Sequence, residues 1–144
     1  VQRAAERFQT QTEKHRLSVA FPPDFPTVRG DEVRLRQVFD NLINNAIKYS
    51  PDGGAIRISG SYDGQGVTIS VSDQGVGIAA EDLPNIFERF YRVDSALSRR
   101  TQGTGLGLYL ARAFVQAHGG KLSVESTPQQ GSTFHVWLPR LTAS

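Results

Sequence analysis

Between residues 35 and 71 the hydrophobic period changes from that of a helix to that of a strand, which restricts the chain to folds in which a helix covers one face of a sheet. Leu35, Val38, Phe39, Leu42, Ile43 and Ala46 recur at i, i+3 and i+4, the rhythm of a long amphipathic helix. Asp31 is placed to cap its start, and Ser50-Pro51-Asp52-Gly53-Gly54 ends it. Ile56 and Ile58, then Val67, Ile69 and Val71, alternate with polar residues on either side of Asp63-Gly64-Gln65-Gly66, the signature of a hairpin with one wet face.

The flanks extend the same plan. Residues 1–15, with Ala4, Ala5 and Phe8 among Gln, Arg and Glu, read as the end of a helix. A short strand follows near 17–21, then a turn at Pro22, Pro23 and Pro26. A second helix is expected from about 104 to 118, ended by Gly119-Gly120. Leu122 and Val124, then Phe134, Val136 and Leu138, supply two closing strands around a turn near 128–131. The expected fold is a two-layer α/β sandwich.

At 144 residues the chain is about one domain, and 38% hydrophobic with 21% charged residues is the composition of a folded globular protein. No stretch approaches the roughly 20 apolar residues of a membrane helix. The absence of cysteine excludes disulfides and thiolate metal sites and points to a reducing compartment; a cytoplasmic location is expected, with the full-length protein either membrane-anchored or not. A chain without Met that begins at Val1 reads as a segment of a longer protein. The net charge is only +2, yet Arg89, Arg92, Arg99 and Arg100 enclose a single acid, Asp94. A local anionic ligand suits this pattern better than a nucleic-acid surface.

Three features carry chemistry. On the first long helix Arg34, Gln37, Asn41, Asn45 and Lys48 fall within roughly 80° of one another, with the apolar set about 140° away. Such a stripe is ordinarily a solvated face, but two Asn at i and i+4 are unfavourable in a helix interior. Carboxamide oxygens suit Mg²⁺, and Lys48 one turn on can meet phosphate. Asp73-Gln74-Gly75-Val76-Gly77-Ile78 reads either as an Asp-capped turn or as a close approach of backbone to a ligand, with Asp73 accepting a hydrogen bond from an adenine amino group. Gly103-Thr104-Gly105-Leu106-Gly107-Leu108 opens the second helix, where free N–H groups and the helix dipole favour phosphate. It is not a Walker loop, since no Gly-Lys-Ser/Thr follows, and Gly107 falls one place early for a dinucleotide fingerprint.

Taken in order, Asn41 to Tyr49, Asp73-x-Gly75-x-Gly77, Ile86 to Arg92 and Gly103 to Leu108 resemble the N box, first glycine box, F box and second glycine box of bacterial sensor histidine kinases. The likeness runs from about residue 17 to 138. It includes the Gly30-Asp31 entry and the His118-Gly119-Gly120 exit.

The resemblance implies a Bergerat-type ATP-binding catalytic domain over 16–141, a mixed sheet of about five strands backed by three helices, with a lid at about 88–102. It implies that residues 1–15 end a helix of an upstream dimerisation domain. Asn41 and Asn45 would serve Mg²⁺ and the phosphates, Lys48 a phosphate, Tyr49 and Ile78 the nucleotide's walls, and Asp73 the adenine. Gly75 and Gly77 would shape the adenine loop; Gly103, Thr104, Gly105, Leu106, Gly107 and Leu108 would embrace the phosphates. Arg89 and Arg92 stand between γ-phosphate contact and docking onto the helical partner, and Arg92 is the one assigned to catalysis. Phe87 and Phe90 would pack the base of the lid.

The family's phosphate acceptor is a His followed by an acid and then a Pro. His15 precedes Arg16, and His118 and His135 sit at a helix end and on a strand, so the acceptor is expected on a separate domain of the same full-length homodimer, from which a response regulator is served. Alone, the segment is expected to be monomeric. Gyrase-like, mismatch-repair-like and chaperone-like ATPases of the same fold carry a Glu four residues before the second Asn, where this chain has Asn41. Anti-sigma serine kinases share the fold but match Lys48-Tyr49 and 87–92 less well. A degenerate docking module that binds no nucleotide is the remaining alternative.

Overall fold

The computed structural model describes residues 15–23, 25, 32–50, 53–88 and 107–139. The expected helix end at 1–14, the arginines Arg89 and Arg92, Phe90, nearly all of the expected lid, and Gly103, Thr104, Gly105 and Leu106 lie outside them.

Among the described residues five strands form one mixed sheet in the order β1-β2-β3-β5-β4, with β1 at His15–Ala20, β2 at Gly54–Tyr62, β3 at Gly66–Ser72, β4 at Lys121–Thr127 and β5 at Gly131–Pro139. Only β1 and β2 run parallel, and α1 (Glu32–Lys48) makes the crossover that a parallel pair needs. The other pairings are antiparallel. At the β2–β3 turn the Asp63 carboxylate accepts from the N–H groups of Gln65 and Gly66, at 2.8 and 2.9 Å, which is why that four-residue stretch turns where it does.

The period-two pattern resolves into two faces. Ile56, Ile58, Val67, Ile69, Val71, Phe134, Val136 and Leu138 point inward and are buried. Outward, Ser70 Oγ and His135 Nδ1 share a 2.7 Å hydrogen bond and Ser72 and Thr133 hydroxyls another at 2.6 Å. Cross-strand polar pairs thus hold the wet face in register.

The second layer is α1 and α2 (Gly107–Ala117), which pack on the sheet and on each other. Val38, Leu42 and Ile43 of α1 and Ala111 and Val115 of α2 are fully buried. α2 ends where expected: Gly120 N–H reaches the Val115 carbonyl at 2.9 Å and Gly119 N–H the Gln116 carbonyl at 3.0 Å, the two bonds of a Schellman cap. His118 returns its Nδ1–H to the Phe114 carbonyl at 2.6 Å.

Two differences from expectation stand out. The described residues contain two helices rather than three, and residues 80–87 form successive turns. The first strand begins at His15, not at 17, because the His15 ring is buried and pairs in register with Gly54, so position 15 belongs to the sheet rather than to a preceding helix. Among the described residues no helix is long and apolar enough to cross a membrane.

Leu42 is 0% and Val33 60% exposed on the same helix. Leu42→Ala is expected to lower the unfolding free energy by roughly 2–5 kcal/mol, and Val33→Ala by about 0.5 kcal/mol or less. Urea denaturation of the two variants checks this; equal losses would contradict the placement of the core.

Candidate functional site

Three segments distant in sequence converge at one end of the helix layer. The first is the polar stripe of α1. Asn41 Nδ2 lies 3.5 Å from the Gly107 carbonyl at the start of α2, and its Oδ1 would be 3.5 Å from a Cβ on Gly107. Seven residues further along α2, the ring of Phe114 lies under the Arg34 guanidinium at 5.1 Å, seven residues earlier in α1. The two helices therefore run antiparallel. The described start of α2 at Gly107 falls beside Asn41, and Asn45 and Lys48 continue the stripe toward the end of α1.

The second segment is the turn after β3. Val76 N–H donates to the Tyr49 carbonyl at 3.0 Å, where α1 ends. A Cβ on Gly75 would stand 1.9 Å from that same carbonyl oxygen, so only glycine lets the two backbones approach. Within the turn, Asp73 Oδ1 accepts from Gly75 N–H at 2.9 Å and from Ser132 N–H at 3.3 Å. Among the described residues its other carboxylate oxygen has no partner, leaving an oriented acceptor. Burial pushes the Asp73 carboxyl above the usual aspartate value, against the lowering effect of the Gly75 and Ser132 N–H groups.

The third segment is the β4–β5 turn, which sequence reasoning left out of the site. Gln129, at φ 68°, donates its N–H to the Val76 carbonyl at 2.7 Å. Ser126 Oγ accepts from Ile78 N–H at 2.7 Å, donates to the Gly131 carbonyl at 3.0 Å, and lies 2.8 Å from Ser132 Oγ. Gly77, at φ 72°, sits where a Cβ would strike the Thr127 carbonyl. The loop is thus clamped between the end of α1 and the β4–β5 turn. A signal for this was available: Ser126 and Ser132 occupy the inward phase set by Leu122 and Val124 and by Phe134, Val136 and Leu138, where a polar residue needs a polar partner.

Asn41 meets Gly107, and Tyr49 meets the turn that carries Asp73, Gly75, Gly77 and Ile78; Asn45, Lys48 and Leu108 lie on the same two helices, and the remaining expected site residues fall outside the described segments. Phe87 is a packing residue, buried edge-on against Phe134 with ring centroids 6.2 Å apart and the Arg112 guanidinium 5.6 Å over its face. Chemically, a half-buried directional acceptor stands at one end of the site. At the other, the Asn41 carboxamide meets the described start of α2, with Asn45 and Lys48 further along its stripe, a layout that suits a ligand with a hydrogen-bond-donating base and an anionic tail.

The raised Asp73 pKa has a direct consequence for stability. The folded state binds this proton more readily than the unfolded state, so stability falls as pH rises through the interval between the ordinary and the raised values. Asp73→Asn keeps an oxygen for Gly75 and Ser132 and removes the charge. Without ligand it is expected to be at least as stable as wild type at pH 7, with the difference shrinking as pH falls into the carboxylate range. Thermal melts across pH test this; an asparagine variant clearly less stable at pH 7 would contradict it.

Residues 30–142 match the family of histidine kinase-, DNA gyrase B- and HSP90-like ATPases. The phosphate regulon sensor protein PhoR of Pseudomonas aeruginosa is 45% identical over 120 residues, covering 83% of this chain and 27% of that protein. Among solved structures, the mycobacterial sensor histidine kinase MprB superposes with a TM-score of 0.85 at 31% identity over 99% of this chain and 94% of that one. Full-length ShkA in complex with AMPPNP gives 0.82 at 32% identity, covering 99% of this chain and 30% of that one. The chain belongs to this ATPase family, and within it to the catalytic domains of two-component sensor histidine kinases.

Proposed function

We propose that this domain binds ATP with Mg²⁺ and passes the γ-phosphoryl group to a histidine on a separate helical dimerisation domain of the same full-length homodimer, which in turn serves a response regulator. The observation that carries this reading is the contact of Asn41 with Gly107, which joins a hard oxygen donor to the start of a helix. The complex of ShkA with AMPPNP and the sensor-protein relatives support it.

In this reading the Asp73 carboxylate accepts from the adenine amino group, and Tyr49 and Ile78 flank the base. Asn41 and Asn45 hold Mg²⁺ through their carboxamide oxygens, and the side chains fit: Asn41 turns its amide nitrogen to the Gly107 carbonyl, and glycine at 107 leaves room beside its oxygen. When bound, the metal would neutralise charge on the phosphates. Lys48 meets a phosphate, and backbone N–H groups from Gly103 to Leu108 receive the tail. Arg92 is assigned to the γ-phosphate. Catalysis is then positioning plus electrostatics, with no covalent step on this chain.

The chain's own histidines are engaged elsewhere: His15 with Ser50, His118 with Phe114, and His135 with Ser70 and Glu125. Asn41, where the related ATPases carry a Glu, cannot take a proton, and Asp40 points about 100° around the helix from it. A missing general base lowers a rate roughly 10²–10⁴-fold, whereas a histidine acceptor brings its own nucleophilic nitrogen.

With γ-labelled ATP, the purified domain is expected to label an added histidine-bearing helical domain but not itself, and Asn45→Ala to slow that transfer roughly 100-fold. Unimpaired transfer by Asn45→Ala would remove the metal-site assignment. Steady-state phosphate release near one per second by the domain alone, abolished by Asp40→Asn, would favour an ATPase instead.

A further inference from the structure

Three hydrogen bonds connect the first residue of β1 to the Asp73 carboxylate. His15 Nε2 lies 2.6 Å from the Ser50 carbonyl; a carbonyl only accepts, so Nε2 carries the proton and donates. One peptide back, the Tyr49 carbonyl accepts Val76 N–H at 3.0 Å. Beside it, Gly75 N–H donates to Asp73 Oδ1 at 2.9 Å. Two successive carbonyls are thus held, that of Ser50 by an imidazole and that of Tyr49 by the glycine turn.

Both ends of the first bond are buried, His15 at 7% and Ser50 at 2% exposure. Ser50 Oγ has no hydrogen-bond partner among the described residues and would stand 2.7 Å from a Cβ on Gly75, so Ser50 abuts the turn directly. In β1, His15 shares the inward phase of Leu17 and Val19, where an apolar side chain would fill the space without the desolvation that a ring nitrogen incurs. An imidazole in this place is accounted for by the bond it makes.

We propose that His15 is a positioning residue for nucleotide recognition: by fixing the Ser50 carbonyl it holds the chain at Tyr49 and Ser50 against the turn at 74–76, and through that turn sets the direction in which Asp73 presents its carboxylate. This deepens the reading of Asp73 as the adenine acceptor and rests on it. His15 itself touches no nucleotide.

The test compares wild type, His15→Phe and His15→Gln by calorimetric titration with Mg·ADP, by thermal melting, and by the ¹⁵N–¹H resonances of Gly75 and Val76. His15→Phe fills the site without a donor and is expected to stay folded, bind about tenfold more weakly, the equivalent of one net hydrogen bond, and shift both amide resonances. His15→Gln keeps a donor near the Nε2 position and is expected to restore affinity. Should the phenylalanine variant not fold, His15→Leu takes its place. Wild-type affinity and unshifted amides in the donorless variant would overturn the tether alone. Equal weakening by Phe and Gln would reduce His15 to packing and overturn it too. A wild-type domain that binds no Mg·ADP would sink the nucleotide reading together with this inference.

Discussion

The contact between the Tyr49 carbonyl and the turn at residues 75–76 is the constraint on which the site depends. It joins the C-terminal end of α1 to the loop leaving β3, two segments whose packing onto the common core would otherwise leave their relative height free. Because Gly75 has no side chain, the loop backbone lies directly on the helix end, and Asp73 is drawn to a fixed place relative to Asn45 and Lys48. The β4–β5 turn closes the clamp from the far side through Ser126 and Gln129. The site is therefore a backbone construction, with side chains hung on it at defined spacing.

Much of this was legible beforehand, for a physical reason. The switch from a 3.6-residue to a two-residue period is set by core burial, and the buried residues of α1, β2, β3 and β5 are those the pattern picked out. The glycine-rich motifs were legible because close backbone approach excludes other residues. What escaped notice depends on contacts between distant segments. The role of Ser126 exists only because β4 ends beside the glycine turn, and periodicity carries no record of that neighbour. The sequence pattern puts His15 at the end of a helix, because its partner, Ser50, lies 35 residues away and offers a backbone carbonyl rather than a recognisable side chain. That the sheet is mixed rests on family likeness, and that β1 and β2 are its parallel pair is seen in the structure alone, since the alternation is the same for either direction.

In the proposed reading, the same helix face separates this chain from the ATPases that share its fold. Asn41 packs against the start of α2 and offers an amide where a carboxylate base would stand. Converting the family's hydrolase into a transferase need not alter the fold at all: removing one proton acceptor suppresses attack by water, while an incoming imidazole is little affected. The core, the glycine clamp and the helix dipole then serve both chemistries.

The central claim is that one end of the site reads an adenine amino group through Asp73 while the other takes a metal-bound phosphate tail. The most direct measurement is calorimetric comparison of Mg·ATP with Mg·GTP on the wild-type domain. The two share the phosphates and the metal but differ where the base offers an amino donor or a carbonyl acceptor. The account predicts ATP tighter by roughly 10–100-fold, the range for a hydrogen bond to a charged acceptor. Equal affinity for the two nucleotides would contradict it.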